Sequence, residues 1–164
     1  MVDAQTTEIT RLVIHESKLV DERRWDEWLS LMSPDVEYWV PAWEKDQPTM
    51  DPSTELSLIH YDSRQGLEDR VFRLRLERSI ASESLPRTCH YVTNISCTPL
   101  PDGACRCEAN WQVHSWRNGE TTTFWGRYDY ILIRSDNAHG WQIQKKKILL
   151  MNDIIPTVLD IYLL

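Results

Sequence analysis

The residues best suited to bind a metal are four cysteines and five histidines, and their spacing fits no common metal site. There is no Cys-x-x-Cys pair of the kind that zinc sites use. Cys105 and Cys107 are two residues apart, so on a strand they would share one face, but two thiolates without a nearby histidine do not complete a site. We therefore interpret both as small apolar residues packed in a sheet.

The histidines are also too far apart for the usual catalytic metals. They are His15, His60, His90, His114 and His139. A two-histidine, one-carboxylate iron site and a Rieske cluster both need closely placed ligands that this order does not offer. The chain also lacks the Gly-x-Gly-x-x-Gly, Gly-Lys-Ser/Thr and Gly-x-Ser-x-Gly motifs. The sequence therefore predicts that this chain holds no metal, nucleotide or nucleophile site.

Composition and charge narrow the possible partners. The chain has 164 residues, which predicts one domain spanning 1–164. With 18 Lys and Arg against 25 Asp and Glu, its net charge is −7, which argues against binding nucleic acid or an anionic membrane. No apolar run approaches the roughly 18 to 20 residues of a membrane helix. Met1–Gln5 is neither basic nor apolar, so we expect no secretory signal and a cytoplasmic location.

Tryptophan is unusually frequent. The chain has eight Trp and only two Phe. Indole rings combine a large apolar area with an N–H group, which suits both cores with polar rims and protein interfaces. We expect most of the eight to lie in the core.

The first half of the chain predicts helices. Residues 5–20 have apolar positions near a 3.6-residue period, which indicates an amphipathic helix. A second helix follows, with Trp25, Trp28 and Met32 on its apolar stripe, and Pro34 is expected to end it. A third helix is predicted over 63–73, followed by an arginine-rich segment that leads from helix to strand.

The second half predicts strands joined by tight turns, of which Asn118-Gly119 is the clearest. Short strands are also expected at 36–40 and 56–60, separated by a proline-rich excursion without regular structure at 41–54. The apolar segment 154–164 should be packed, against this chain or another subunit. The predicted strands of the second half are 88–98, 105–117, 121–134 and 141–151.

Helices followed by an antiparallel meander predict an α+β domain. In such a domain a strongly curved sheet wraps around the helices. We expect the curvature to leave a conical cavity.

Four stretches, in order and covering nearly the whole chain, resemble the small (beta) subunit of bacterial aromatic-ring-hydroxylating dioxygenases. The Ser57–Tyr61 and Gly66–Arg73 sequences are most similar to the branch that acts on benzoate, toluate or anthranilate. The stretches are Leu19–Leu29 with Asp35–Trp43, Glu55–Tyr61 with Gly66–Arg73, Arg87–Ile95, and Lys146–Leu150 with Asn152–Asp153 and Val158–Tyr162.

The resemblance implies a cystatin-like cone of the nuclear-transport-factor-2 (NTF2) type. It also implies assembly with an alpha subunit as an α3β3 hexamer, in which contacts between beta subunits are possible as well. The alpha subunit would carry a Rieske [2Fe–2S] cluster and a mononuclear Fe(II), and NADH would supply electrons through a separate reductase. The complex would add both atoms of O₂ to an aromatic ring, giving a cis-dihydrodiol in aromatic catabolism. This chain would then be structural, with no cofactor and no catalytic residue of its own.

On that hypothesis, aromatic, proline and arginine side chains near the matched stretches are candidates for contact with the alpha subunit, because Trp, Tyr and Arg dominate the energetics of interfaces. Each tryptophan among them could equally be a core residue, and each arginine could equally be solvated. The candidates are Trp39, Pro41, Trp43, Arg70, Arg73 and Arg78.

Two alternatives remain open. Cone folds of this type also host dehydratases and isomerases, in which an Asp–His pair moves a proton. Asp21 and His90 are the residues here that could form such a general base. The second alternative is a module that binds a ligand in the cone and catalyses no reaction. Dependence on a partner subunit separates the structural reading from both.

Overall fold

Three helices lie against one face of a curved six-stranded sheet in the computed structural model, which describes residues 4–81 and 84–164. The helices are α1 (Ala4–Asp21), α2 (Trp25–Ser30) and α3 (Arg64–Ala81). The strands are β1 (Met32–Pro41), β2 (Trp43–Glu44), β3 (Gln47–Pro48), β4 (Ser57–Tyr61), β5 (Arg87–Pro99), β6 (Cys105–Arg117), β7 (Glu120–Arg134) and β8 (Trp141–Leu150). A short 3₁₀ turn, Ile161–Leu163, lies near the C-terminus.

The strand order is β4-β1-β8-β7-β6-β5, and β2 and β3 form a separate small hairpin. Every neighbouring pair in the large sheet is antiparallel except β1 and β8, which are parallel. The predicted α+β class with a mostly antiparallel sheet is confirmed.

The helix α1 shows why its sequence pattern was informative. Ile9, Leu12, Val13, Leu19 and Val20 are all buried, and they recur at the spacing of one helix face. That face packs towards β5 and into the single cluster of buried apolar residues in the described part of the chain.

Pro34 has a different role from the predicted one. Helix α2 already ends at Ser30, and Pro34 lies inside β1. The pairing of β1 with β8 shifts register between Met32 and Glu37, so the proline falls where the ladder is irregular. A residue without an N–H is tolerated at such a bulge. The prediction that 41–54 contains no regular element was also wrong, because β2 and β3 pair there.

The third helix is longer than predicted. It runs from Arg64 to Ala81, so the arginine-rich segment that was expected to leave the helix continues it. Leu67, Val71 and Leu74 recur along one face of the helix and are all buried. The sequence contains no proline between Leu67 and Pro86. The helix therefore has both a continuing apolar stripe and no residue that would stop it.

The four long strands match their predicted positions to within a few residues. Along β6, buried and exposed residues alternate, as expected for a sheet with one face in the core. Cys105 and Cys107 share the buried face, which confirms that they are packed in the sheet. Five of the eight tryptophans are buried, so most of them are indeed core residues. They are Trp25, Trp28, Trp39, Trp111 and Trp141.

The C-terminal segment is packed at its end and exposed before it. Ile161, Tyr162, Leu163 and Leu164 are buried in the main core. Ile154 and Val158 remain about four-fifths exposed, at 79% and 80%. The interior that was expected to be a conical cavity is largely filled by large side chains, including Trp28, Tyr38 and Tyr130.

Candidate functional site

A buried ion pair joins the first helix to the last strand. Lys146 Nζ of β8 lies 2.8 and 2.9 Å from the two carboxylate oxygens of Glu16 of α1, and the side chains are 1% and 0% exposed. Trp28 Nε1 donates to Glu16 Oε1 at 2.8 Å, and Tyr130 OH donates to Oε2 at 3.1 Å. The carboxylate is therefore held by four hydrogen bonds. We call Glu16, Lys146, Trp28 and Tyr130 the interior cluster.

The environment of Lys146 is aromatic as well as anionic. Its Nζ lies 4.4 Å from the ring centroid of Tyr128, 5.6 Å from that of Tyr130 and 5.8 Å from that of Tyr38. Burial lowers the pKa of Lys146, and the negative charge of Glu16 opposes that change. The ring faces add cation–π attraction to the ion pair.

The structure brings Asp21 and His90 together. Asp21 ends α1 and His90 lies on β5, with His90 Nδ1 2.6 Å from Asp21 Oδ1. Asp21 also accepts from the backbone N–H of His90 at 2.8 Å and from Thr88 Oγ1 at 2.9 Å. Burial raises the pKa of Asp21, but the hydrogen bonds and charge of His90 outweigh it, so the net pKa is lowered. An ionised Asp21 places the proton on Nδ1 of His90.

This arrangement leaves Nε2 of His90 pointing into the protein. That atom has no hydrogen-bond partner among the described residues. A histidine oriented by a carboxylate, with its other nitrogen available, has the geometry of a general base. The His90 side chain is fully buried, at 0% exposed, so the pair faces the core rather than an open cleft.

The six candidate contact residues divide between two regions. Trp39 is buried, with its Nε1 donating to Ser57 Oγ at 2.9 Å, and Pro41 is also buried. Trp43, in the small hairpin, is 38% exposed and donates to the Leu150 carbonyl at 2.7 Å. The three arginines lie on α3. Arg73 and Arg78 are exposed there, whereas Arg70 is mostly buried.

Comparison with protein-family models decides the family. Residues 15–157 match the model described as ring hydroxylating beta subunit. The chain belongs to this family. The resemblance recognised in the four sequence stretches is thus confirmed.

Relatives within the family are similar over almost their full length. The chain is 37% identical over 163 residues to the 2-halobenzoate 1,2-dioxygenase small subunit of Burkholderia cepacia, covering 98% of this chain and 97% of that protein. It is 38% identical over 148 residues to the toluate 1,2-dioxygenase subunit beta of Pseudomonas putida, covering 90% of each.

A solved structure gives the same answer for the fold. The beta subunit of the benzoate 1,2-dioxygenase from Burkholderia mallei superposes with a TM-score of 0.82 at 32% identity, covering 100% of this chain and 99% of that one. The fold of this family member is the predicted NTF2-like cone.

The metal-binding side chains among the described residues are dispersed. Within residues 4–81 and 84–164, no three His, Cys, Asp or Glu residues are grouped so that they could hold a metal ion. Cys97 and Cys107 face each other across β5 and β6, with their sulfurs 3.6 Å apart, and burial raises the pKa of both thiols. Of the helices described, none is long and apolar enough to cross a membrane.

Sequence reasoning missed the interior cluster. Glu16 lies among the charged residues that separate the apolar positions of α1, and Lys146 is the middle residue of the run Lys145–Lys147, and neither was named as a candidate site residue. One signal was present. Lys146 is two and four residues from Ile148 and Leu150, so on a strand it shares their face, which is the buried inner face of β8.

Arg70 attaches the C-terminal segment to α3. Its Nε donates to Asp160 Oδ1 at 3.0 Å, and its Nη2 donates to Asp160 Oδ2. The same carboxylate accepts from the backbone N–H of Ile161 at 2.8 Å and so caps the terminal 3₁₀ turn. Asp160 is buried, which strengthens both interactions.

We expect Asp160→Asn to lower the free energy of unfolding by about 1–3 kcal/mol, because a charged hydrogen-bond acceptor is removed from a buried pair. Urea denaturation measures the loss. Hydrogen exchange should accelerate in 161–164 more than in β5–β8. Glu77→Gln is the matched control, since Glu77 contacts the same arginine from an exposed position and should change neither measurement. Equal effects of the two variants would contradict the attachment.

Proposed function

We propose that this chain is the structural small subunit of a multicomponent dioxygenase that cis-dihydroxylates a benzoate-type aromatic carboxylate in the cytoplasm. The observation that carries the proposal is similarity over nearly the full length of small subunits of halobenzoate and toluate dioxygenases. In this reading the enzyme is an oxidoreductase of aromatic catabolism, and the present chain builds and stabilises it.

The interior of the chain supports a structural role. Glu16 accepts four hydrogen bonds and Asp21 accepts three, so these carboxylates are already used in joining α1 to the sheet. On this proposal the redox groups belong to an alpha subunit. That partner would carry the Rieske cluster and the mononuclear iron, receive electrons from NADH through a reductase, and form an α3β3 hexamer with this chain.

Co-expression with an alpha subunit of the benzoate type tests the proposal. We expect the two chains to co-purify, the native mass to fit three copies of each, and benzoate, toluate or halobenzoate to be dihydroxylated only by the complex with its reductase. Iron should be found in the complex and not in this chain alone. Stoichiometric iron in the isolated chain, ring oxidation by it, or failure to bind any alpha subunit of this type would overturn the proposal.

We propose that the exposed arginines of α3 contact the alpha subunit. Arg73 and Arg78 are exposed beside Phe72 and Leu76, which are 66% and 47% exposed. Apolar side chains flanked by arginines are typical of the energetically important centre of an interface.

We expect the double variant Arg73→Glu/Arg78→Glu to weaken association with the alpha subunit by about tenfold or more, since truncating one important interface residue already costs 2 kcal/mol or more. Titration by surface plasmon resonance measures it. Arg11→Glu reverses an exposed arginine on α1 and should leave both association and folding unchanged. Equal binding by the two proteins would exclude this face of α3.

A stand-alone acid–base enzyme is the second candidate, and the Asp21–His90 pair is the observation that favours it. Turnover of a cyclic hydroxy or keto compound by the isolated chain, abolished in His90→Ala, would establish that function. We expect no such turnover, because the pair faces a packed interior. The same packing disfavours a module that binds an aromatic ligand in the cone.

A further inference from the structure

Four buried polar atoms of the interior have no hydrogen-bond partner among the described protein atoms. They are Tyr38 OH, His90 Nε2, Trp111 Nε1 and Tyr128 OH. Each side chain is at most 2% exposed. A buried polar group without a partner is costly, and native proteins nearly always satisfy such groups with protein or with ordered water.

Three of these four residues are close neighbours in the core. The rings of Trp111 and Tyr128 are stacked, with centroids 5.3 Å apart and planes 7° from parallel. Tyr128 and Tyr38 both lie around the Lys146 ammonium, at 4.4 and 5.8 Å from their ring centroids.

His90 belongs to the same region through the strand register. Val92 of β5 pairs with Trp111 of β6, and His90 pairs with Val113. Residues two apart on a strand share a face, so His90 and Trp111 are neighbours on the inner face of the sheet.

The chemistry of the four atoms restricts what binds there. Trp111 Nε1 can only donate, His90 Nε2 accepts when Nδ1 carries the proton, and the tyrosine hydroxyls do either. The ligand must therefore both donate and accept, and it must be small, because large aromatic side chains fill the region. An anionic aromatic ligand would also meet two carboxylates, Glu16 and Asp21, against the single ammonium of Lys146, which already pairs with Glu16; this balance opposes its entry.

We propose that the interior of the cone is a binding site for ordered water molecules, which bridge Tyr38, Tyr128, Trp111 and His90. A water molecule offers two donors and two acceptors, and buried waters make about three hydrogen bonds each to groups of this kind. The site therefore joins β1, β5, β6 and β7 across the core without a direct side-chain pair.

A crystal structure of the full chain, alone or in its complex, at a resolution that shows ordered water gives the first test. We expect water within hydrogen-bond distance of at least three of the four atoms. Direct pairing of these side chains with one another would overturn the proposal. So would an organic molecule or a dry void among them.

Tyr38→Phe and Tyr128→Phe give a second test in solution. If water satisfies the hydroxyls, each variant should lower the folding equilibrium constant by about 2- to 13-fold, the usual effect of one lost hydrogen bond. If the hydroxyls are unsatisfied, their removal should leave stability unchanged or raise it, which would contradict the proposal. Tyr130→Phe is the matched control, since its hydroxyl donates to Glu16 and its loss should be destabilising in either case.

Discussion

Lys146→Met should lower the free energy of unfolding by about 3–5 kcal/mol, because it leaves the carboxylate of Glu16 buried without its counter-ion. Methionine has nearly the same length as lysine, so the change removes the charge and keeps most of the volume. Trp28 and Tyr130 would still donate to Glu16, but neutral donors do not replace an ammonium at 2.8 Å. Urea denaturation monitored by tryptophan fluorescence measures the effect.

Two further variants separate the buried charge from other causes. Glu16→Gln/Lys146→Met removes both charges, so we expect it to be more stable than Lys146→Met alone. Lys145→Met alters the neighbouring residue, whose Nζ pairs with Glu37 at a partly exposed site, and it should have no measurable effect. A loss below about 1 kcal/mol in Lys146→Met would contradict the assigned importance of the ion pair.

Gly126→Ala should be at least as damaging, with an expected loss of about 3 kcal/mol or more. A Cβ atom at Gly126 would collide with the backbone carbonyl oxygen of Leu149 on β8, and it would lie 3.2 Å from Trp111 Nε1. Backbone in the middle of a sheet cannot move aside as a flexible side chain does. A glycine inside a strand often marks such a close approach. Thermal and urea denaturation of the purified variant, or loss of soluble protein, measures the effect.

Gly66→Ala is the appropriate control for this variant. Its new Cβ would lie 3.0 Å from Cδ1 of Tyr61, a contact that a small movement of the ring relieves. The higher helix propensity of alanine offsets part of that cost, so we expect stability within about 1 kcal/mol of the unchanged protein. Similar losses at Gly66 and Gly126 would contradict the close approach of β7 and β8 as the cause.

Both predictions concern the same structural task. Glu16 and Lys146 are 130 residues apart and connect α1 to β8, while Gly126 allows β7 and β8 to approach closely. A chain whose proposed role is to support a partner subunit needs this shape to be fixed. The buried charges are therefore expected to determine stability here, and the isolated chain should show no ring oxidation.

The sequence alone predicted the elements whose patterns are local. The 3.6-residue period of α1 and the alternation along β6 arise from burial of one face, and each can be read within one segment. The family resemblance was likewise readable, because the matched residues keep their order along the chain. Local patterns did not reveal how far α3 continues or where Pro34 is accommodated, since both depend on neighbouring elements.

Only the tertiary structure decided which polar residues are buried together. Asp21 was named as a partner of His90 by analogy with cone-shaped enzymes, but a sequence pattern does not show whether two residues so far apart meet. The 69-residue separation is closed by packing α1 against β5. Glu16 and Lys146 were not named as a pair, because a charge on an amphipathic helix and a charge in a lysine run are normally solvated. Their burial follows from the rotation of α1 and the register of β8, which long-range packing sets.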